Sequence, residues 1–219
     1  PSDLDQLVSH EAAPAFLSHA GEMAGRIRAH RWEGSPLGDP AGWPQTLQIL
    51  TGLMLAAGQP MFLIWGPERI WLYNDAFVPL LGRKHPGALG RHALEEVWSE
   101  ARETLCPLFD KVFAGVAVQM DDLALELDRM GTPREAHFSF SYTPARDPSG
   151  AVVGLFGVCT ETTELCERRR QQEANEDALS RAAADARAAS ERMELALRAG
   201  SMVGAWVWDV VADRLVADE

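Results

Sequence analysis

The stretch from Ala151 to Arg170 constrains the fold of this chain more than any other. It begins with an apolar, β-prone run, AVVGLFGVCT, and continues from Thr163 as a charged, helix-prone run. This change of pattern predicts a strand that passes directly into a long helix. Because a displacement of such a strand would tilt or rotate the helix, we expect the preceding residues to form a domain that controls the helix.

The predicted helix runs from about Thr163 to Ala199 and contains neither glycine nor proline. Thr162 or Thr163 can cap its N-terminus through the side-chain hydroxyl. A polar helix of this length needs a partner, and its seven-residue repeat predicts a parallel, dimeric coiled coil. The alternative is a flexible, partly helical linker. The residues of the predicted coiled-coil seam are Leu165, Gln172, Leu179, Ala186 and Met193.

The residues before this helix predict five strands in the order β-β-α-α-β-β-β. Met61–Trp65 and Ile70–Tyr73 flank a short Gly-Pro turn and are expected to form a hairpin. Three more strands are expected at about 118–127, 134–143 and 151–160. The second of these alternates cleanly, with an apolar and a polar face, as in a half-buried antiparallel strand. Its apolar face consists of Ala136, Phe138, Phe140 and Tyr142.

Two helical regions are predicted before the sheet. Residues 1–30 are expected to be helical on both sides of Pro14. A second helix is expected from Gln45 to about Ala57, with Gly58 ending it. The predicted apolar residues of the first region are Leu4, Leu7, Val8, Phe16, Leu17, Ala20, Met23, Ala24 and Ile27. Those of the second are Leu47, Leu50, Leu53 and Met54.

Two more helical segments are predicted between the second and third strands. Asn74 is a natural N-cap for a short helix over Asp75–Leu81, because its side-chain oxygen can accept a backbone N–H. Gly82 is expected to end that helix. A longer helix is expected over about 91–113, and Pro107 should divide or kink it.

Charge and cysteine content narrow the function classes. The net charge of −12 argues against a surface for nucleic acid or for an anionic membrane. The three cysteines lack a C-x-x-C spacing, which argues for a reducing compartment and against a structural metal site. Residues 47–65, the most apolar region, contain glycines and polar residues and make a poor membrane span. We expect a cytoplasmic location and, because the chain begins without Met and ends abruptly, a longer parent protein.

The residues from Pro60 to Glu164 resemble a PAS domain, a small sensory module of bacterial signalling proteins. One matching stretch is Tyr73-Asn74-Asp75-Ala76-Phe77 with Leu80, Leu81 and Gly82, which is similar to the family's N-x-A-F…(L)G motif. The other is Glu161-Thr162-Thr163, which stands where the family usually has D-I-T before a charged helix. The region 30–164 is similar to the N-terminal PAS region of multi-domain sensor histidine kinases, and 193–218 resembles the start of a second PAS domain.

This resemblance implies an α+β fold in which a five-stranded antiparallel sheet cradles a pocket under its helices. It implies a helical extension over residues 1–59, a PAS domain over 60–162, a signalling helix over 163–199 and a truncated second PAS domain over 200–219. It also implies a homodimer formed through the signalling helix and the N-terminal helix. The expected signal-relay residues are Glu161, Thr162, Thr163 and Leu165.

The expected occupant of the pocket is an uncharged or weakly polar small molecule, or no ligand. Haem would need a histidine facing the pocket, with His92 and then His85 the nearest candidates, and a flavin photoreceptor would need a cysteine near Arg83; neither cofactor is expected. His137 lies on the polar face of its strand and is expected to be solvated. The candidate pocket residues are Phe62, Trp71, Tyr73, Phe77, Trp98, Phe138 and Phe140.

No nucleophile–base or acid–base constellation is visible in the sequence, so we do not expect an enzyme in this part of the parent protein. The sequence predicts a sensory and dimerisation module that perceives a small ligand or a partner. It would relay the signal through the coiled coil to an effector, a histidine kinase of a two-component system. The alternatives are a ligand-free, constitutive dimerisation spacer and the PAS regulator of a diguanylate cyclase.

Overall fold

The sheet is the centre of the first of two units into which the chain divides after Thr163. The computed structural model describes residues 14–199, 206–209 and 212–217. Five antiparallel strands form this sheet in the order β2-β1-β5-β4-β3, which confirms the predicted α+β fold. The strands are β1 (Met61–Trp65), β2 (Ile70–Tyr73), β3 (Val118–Asp128), β4 (Pro133–Arg146) and β5 (Val152–Glu161).

The position of β5 follows from its sequence. The strand lies between β1 and β4, with Leu63 of β1 opposite Phe156 and Tyr142 of β4 opposite Gly157. Residues Val152–Cys159 of this central strand are all buried or partly buried, which fits the nearly continuous apolar run of its sequence. The imperfect alternation of β3 also has a structural cause, because its register with β4 shifts between Met120 and Leu123.

Between residues 14 and 162, the first unit has four α-helices: α1 (Glu22–Ala29), α2 (Gln45–Ala56), α3 (Val78–Leu81) and α4 (Arg102–Phe113). Short 3₁₀ turns lie at Ala15–Leu17, Pro40–Gly42, Asp75–Phe77, Gly82–Lys84 and Ser99–Ala101, and a π-helical turn lies at Ala93–Val97. One apolar core joins these helices to the sheet: Met23, Leu47 and Met54 from the N-terminal helices are fully buried in the same cluster as Leu63 and Leu72.

The predicted helix over 91–113 is divided, but the prediction that Pro107 divides it is wrong. The break lies at Trp98, whose φ of −121° and ψ of 40° are outside the helical region. Trp98 is buried in the core, whereas Pro107 lies on the exposed side inside α4. The backbone therefore turns where a large ring must enter the core, and not where a backbone N–H is missing.

Two details of the predicted N-terminal helices are also wrong. The buried face of α2 includes Thr51 rather than Leu53, which is 57% exposed, because residues 47, 51, 54 and 55 lie on the side that faces the core. Residues 14–30 contain a 3₁₀ turn and the separate helix α1 rather than one helix, and Ala20 between them is exposed. The predictions for Leu4, Leu7 and Val8 lie outside the described residues.

The described residues of the second unit form a long helix and a hairpin. The helix α5 spans Thr163–Ala199, starting at the last residue of the first unit, which confirms the predicted junction. Strands β6 (Trp206–Asp209) and β7 (Arg214–Ala217) pair antiparallel, and the first of them confirms the predicted strand after the helix. Residues 200–205 of the predicted second PAS domain lie outside the described residues. Among the described helices, none combines the length and the apolar character that crossing a membrane requires.

Candidate functional site

A small apolar cavity lies between the sheet and the helices of the first unit. Its volume is about 40 Å³, and all five strands contribute to its wall. From the helical side, Phe77, Leu80, Trp98, Leu105 and Phe109 complete the lining. A cavity of this size has room for a water-sized molecule but not for an aromatic ring, since a dry cavity of about 150 Å³ is known to hold benzene.

Most of the candidate pocket residues meet at this cavity. Phe62, Trp71, Phe77, Trp98, Phe138 and Phe140 line it, but Tyr73 does not. The Tyr73 hydroxyl is instead hydrogen-bonded to Nδ1 of His85 at 2.8 Å. Seven further residues line the cavity and were not predicted as pocket residues from the sequence: Leu80, Leu105, Phe109, Leu125, Leu127, Tyr142 and Cys159.

The aromatic rings of the wall are in direct contact with one another. Phe62 stacks on Trp71 with a centroid distance of 4.3 Å, and Phe140 stacks on Tyr142 at 4.0 Å. The Phe62 ring also meets Tyr142 edge-on, with the centroids 5.5 Å apart. Such contacts stabilise the wall beyond the burial of apolar area and fix the ring orientations.

The cavity wall is electrically neutral. None of its lining side chains carries a full charge at neutral pH. Burial raises the pKa of the Cys159 thiol to about 12 and raises the pKa of the Tyr142 hydroxyl well above its usual value. Both groups therefore stay protonated, because the charged form would lose its hydration.

The three histidines considered in the sequence analysis lie away from the cavity wall. His92 caps the π-helical turn, with its Nδ1 accepting from the backbone N–H groups of Leu94 and Glu95. His85 bridges Tyr73 and, through Nε2, a carboxylate oxygen of Glu22 at 3.1 Å. These contacts give both side chains a structural role.

His137 is buried, so the prediction that it is solvated is wrong. Its Nδ1 lies 2.6 Å from a carboxylate oxygen of Asp122, and its Nε2 lies 3.1 Å from one of Glu135. Asp122 lies where the register of β3 shifts, and this irregularity accompanies its approach to the imidazole. Strand alternation predicted the face that His137 shares with Glu135, but not the approach of Asp122.

Asn74 is a hydrogen-bonded hub at the end of β2. Its side-chain oxygen accepts from the backbone N–H of Phe77 at 3.2 Å, which confirms the predicted cap, and also from that of Met61 at 3.0 Å. Its amide nitrogen donates to the carbonyls of Met54, Ala57 and Gln59. This side chain therefore joins α2, β1 and the helical side of the cavity.

Gly82 and Ala76 complete the matched motif. Gly82 has a φ of 54°, and a Cβ there would lie 2.5 Å from the carbonyl oxygen of Arg129. A side chain at this position is excluded by both the backbone conformation and the contact. Arg83 then donates its backbone N–H to the same Arg129 oxygen at 2.9 Å. Ala76 lies in the 3₁₀ turn Asp75–Phe77.

The strand–helix junction is held by a polar cluster of Arg129, His137, Glu161 and Thr163. The Arg129 guanidinium makes a bidentate pair with the Glu161 carboxylate, with distances of 2.7 and 2.8 Å. Its hydrogen bonds hold the Glu161 pKa below the usual value. The Thr163 hydroxyl donates to Glu161 at 3.0 Å and accepts from the backbone N–H of His137 at 3.0 Å.

The predicted capping role of the threonines is wrong. Thr163 uses its hydroxyl to bind β4 and Glu161, as described above. The Thr162 hydroxyl is buried and has no hydrogen-bond partner among the described residues, although its backbone N–H donates to the His137 carbonyl at 2.7 Å. The Thr163 hydroxyl and the Thr162 backbone N–H thus attach the end of β5 to β4.

Arg129 is the junction residue that the sequence analysis missed. It lies in the turn between β3 and β4, 32 residues before Glu161. Its partner follows from the fold, because β4 lies between that turn and β5 in the sheet. A bidentate pair prefers arginine, but the sequence contains many other arginines and no local pattern marks this one.

The seam of α5 exposes its large apolar residues within the described chain. Leu165 is 51% exposed, Leu179 71% and Met193 64%. Gln172 and Ala186 lie on the same line of the helix and are also exposed.

The family comparison agrees with this architecture. A family model described as the PAS fold matches residues 57–167. A solved RNA-binding light-oxygen-voltage receptor is 22% identical, with 63% of this chain and 39% of that chain covered and a TM-score of 0.46. The PAS domain of BvgS from Bordetella pertussis is also 22% identical, with 60% and 97% covered and a TM-score of 0.46. The light-oxygen-voltage protein of Rhodobacter sphaeroides is 16% identical, with 56% and 73% covered and a TM-score of 0.43.

The match to the RNA-binding receptor therefore spans less than half of that chain. Among curated protein sequences, none matches this chain.

Proposed function

The chain belongs to the PAS fold family, and from this premise we propose that it is a sensory and dimerisation module. A small ligand in the central cavity, or a partner on the domain, changes the end of β5. The junction passes that change to α5, and α5 carries it as a parallel dimeric coiled coil to an effector. The effector is a histidine kinase of a cytoplasmic two-component system, and a diguanylate cyclase is the alternative.

The observation that carries this proposal is the pairing of a cavity residue with a junction residue. Phe138 lines the cavity and lies directly opposite Glu161 in the register of β4 and β5. The Arg129 guanidinium carbon lies 5.9 Å from the centre of the Phe138 ring while its nitrogens hold Glu161. A ligand that shifts the Phe138 ring therefore acts on both partners of the ion pair.

The relay proposal is tested by replacing Glu161 and Thr163 together, as E161Q/T163V, in the full-length parent protein. These substitutions remove the charge at the ion pair and the hydroxyl that binds β4, while the apolar core is unchanged. We expect output that no longer responds to the input signal, in a protein that still folds cooperatively. The matched control is T160V/E164Q, two neighbouring exposed positions. Retained regulation in E161Q/T163V would contradict the relay.

The proposed domain organisation assigns one stretch of the chain to each part of this relay. Residues 1–59 form a helical extension, 60–162 the PAS domain and 163–199 the signalling helix, and 200–219 begin a second PAS domain. In the dimer, the exposed seam residues Leu165, Leu179 and Met193 pack against the second copy. The N-terminal helical extension contributes a second contact between the protomers.

Sedimentation of the purified chain tests the dimer. A charge at the seam, L179E, is expected to convert dimer to monomer because it places two carboxylates at one contact. The control A184E adds the same charge five positions further along the helix, outside the seam, and is expected to leave the dimer intact. A monomeric wild-type chain, or equal effects of the two variants, would contradict the seam.

A ligand-free spacer is the second candidate function, and the cavity volume favours it. At about 40 Å³ the cavity is far smaller than the roughly 300–1,000 Å³ of ordinary ligand pockets. If the domain is a ligand-free spacer, its melting temperature should stay unchanged across a metabolite screen. If it is a sensor, at least one compound should raise its melting temperature. The absorbance spectrum of the purified protein tests in addition for a retained chromophore.

A further inference from the structure

Trp71 presents an unsatisfied hydrogen-bond donor at the cavity. Its side chain is 1% exposed and lines the cavity, and its indole N–H has no acceptor among the described residues. Two other tryptophans are satisfied: Trp32 donates to the Ile27 carbonyl at 2.8 Å and Trp43 to that of Gly38 at 2.9 Å. Because buried donors are nearly always paired, an unpaired one in a cavity wall indicates a missing acceptor.

The wall around Trp71 selects against charge. It holds no charged side chain, and burial keeps its two titratable groups, Tyr142 and Cys159, protonated. A charged ligand would lose its hydration without gaining a counter-charge. The acceptor that meets Trp71 therefore belongs to a neutral group such as a carbonyl.

The same wall favours a flat ring. Trp71 stacks on Phe62 and meets both Phe77 and Trp98 edge-on, with centroid distances of 5.5 and 5.9 Å. Aromatic surfaces of this kind attract further rings in stacked or edge-to-face geometry. The preference is for an aromatic rather than a long aliphatic ligand.

The cavity must enlarge to hold a ring, and its helical side is the part that can yield. Trp98 lies between a π-helical turn and a 3₁₀ turn, both less regular than an α-helix. Lys84 holds this segment from outside, with Nζ 4.4 Å from the Trp98 ring centre and 2.6 Å from the Val97 carbonyl. The opposite wall is one continuous hydrogen-bonded sheet and is harder to displace.

We propose that the cavity takes an uncharged aromatic molecule whose carbonyl or equivalent acceptor binds the indole N–H of Trp71. The inference rests on the proposed sensory function and adds the chemical class of the ligand. Trp71 is the residue that distinguishes an aromatic ketone or aldehyde from a hydrocarbon of the same shape.

The test uses acetophenone and α-methylstyrene, two molecules of nearly the same shape that differ in a carbonyl oxygen against a methylene group. Calorimetry on the purified chain is expected to show that acetophenone binds about tenfold more tightly, the effect of one buried hydrogen bond. In Trp71→Phe the preference should disappear, while α-methylstyrene still binds. Equal affinities of the wild-type protein for the two compounds would overturn the proposal.

A second readout does not depend on the folding of the variant. In a proton–nitrogen spectrum of the wild-type chain, acetophenone should move the indole N–H signal of Trp71 downfield, and α-methylstyrene should not. The signals of Trp32 and Trp43 serve as internal controls, because their N–H groups are already bonded to carbonyls. A Trp71 signal that does not respond to acetophenone would overturn the proposal.

The outcomes separate this inference from the proposed function. If both compounds bind equally, the cavity accepts ligands but Trp71 does not select them. If neither binds at millimolar concentration, the ligand class is wrong, while the relay is still judged by E161Q/T163V.

Discussion

The cavity wall and the strand–helix junction share strands β4 and β5, but different forces hold them together. At the cavity, Phe138, Phe140 and Cys159 are held by apolar packing around a space of about 40 Å³. At the junction, Glu161 and Thr163 are held by hydrogen bonds with distances of 2.7 to 3.0 Å. Along β5, only Thr160 lies between Cys159 of the cavity wall and Glu161 of the junction.

This difference fits two separate roles for the cavity wall and the junction. Apolar packing is non-directional, so a ring beside a cavity can shift without leaving a polar group unpaired. A bidentate ion pair depends on geometry and is either made or broken. In the proposed relay, the cavity end registers the size and shape of an occupant, and the junction end converts a displacement into a discrete change.

The largest expected effect tests whether the cavity side depends on packing alone. Asn74 is fully buried and makes five hydrogen bonds, which join the backbone of α2, the α2–β1 loop, β1 and the turn at Phe77. N74A should lower the free energy of unfolding by about 3 kcal/mol, because it leaves several buried groups unpaired. Urea unfolding measures the loss.

The control for N74A is N175A on the exposed face of α5, which should change stability by less than about 0.5 kcal/mol. Similar losses of unfolding free energy in the two variants would show that the hydrogen bonds of Asn74 do not hold the helical side of the cavity. The cavity side would then depend on apolar packing alone, in full contrast to the junction.

A smaller effect is expected from crowding the cavity wall. A Cβ at Gly157 would lie 2.2 Å from the Phe62 ring, so G157A must push that ring from its stack on Trp71. Overpacking of this kind costs about 2 kcal/mol, measured again by urea unfolding. The control G58A has nothing within 4 Å of its new methyl group and should be neutral. A neutral G157A would mean that the wall adapts freely to the added volume.

The junction should respond less in stability than in signalling. R129Q removes the ion pair with Glu161, in which the two side chains are 20% and 30% exposed. Partly exposed pairs contribute about 1 kcal/mol or less, so thermal unfolding should shift by only a few degrees. R134Q, on an exposed side chain in the next strand, is the matched control. A loss in R129Q as large as that in N74A would contradict the proposed contrast.

The smallest expected effect is a pH dependence at the junction. Hydrogen bonds from Arg129 hold the pKa of Glu161 below its reference value of 4.5. The resulting stabilisation is fully present above that reference value and is lost as the pH falls through the lowered pKa. Unfolding free energies of wild type and R129Q should therefore converge in acid. A constant difference between the two proteins at every pH would contradict this assignment.

Local sequence patterns predicted most of the secondary structure. The bounds of β1, β2 and α5 agree with the structure, because turn residues and a change in period mark their ends. The Asn74 cap was equally predictable, since its partner Phe77 is three residues away. The break at Trp98 was not, because the burial of its ring depends on the sheet beneath it.

The residues of the candidate site likewise divide into those that local sequence patterns predicted and those that depend on tertiary contacts. Six of the seven proposed aromatic residues line the cavity, since apolar alternation marks the inward face of a strand. Tyr73 instead binds His85, a contact that requires the loop after α3 to return to β2. Asp122 approaches His137 from the shift of register between β3 and β4, whereas Glu135 lies two residues away on the same strand.

The sequence by itself determined the strands, the helix that follows them and the place where one becomes the other, because these depend on residues close together in the chain. Tertiary structure decided the partner of Glu161, the volume of the cavity and the unpaired N–H of Trp71. Each of these depends on residues from separate elements, such as Arg129 and Glu161, 32 positions apart. Strand pairing brings these residues together, and the local periodicity of the sequence does not show which distant residues will meet.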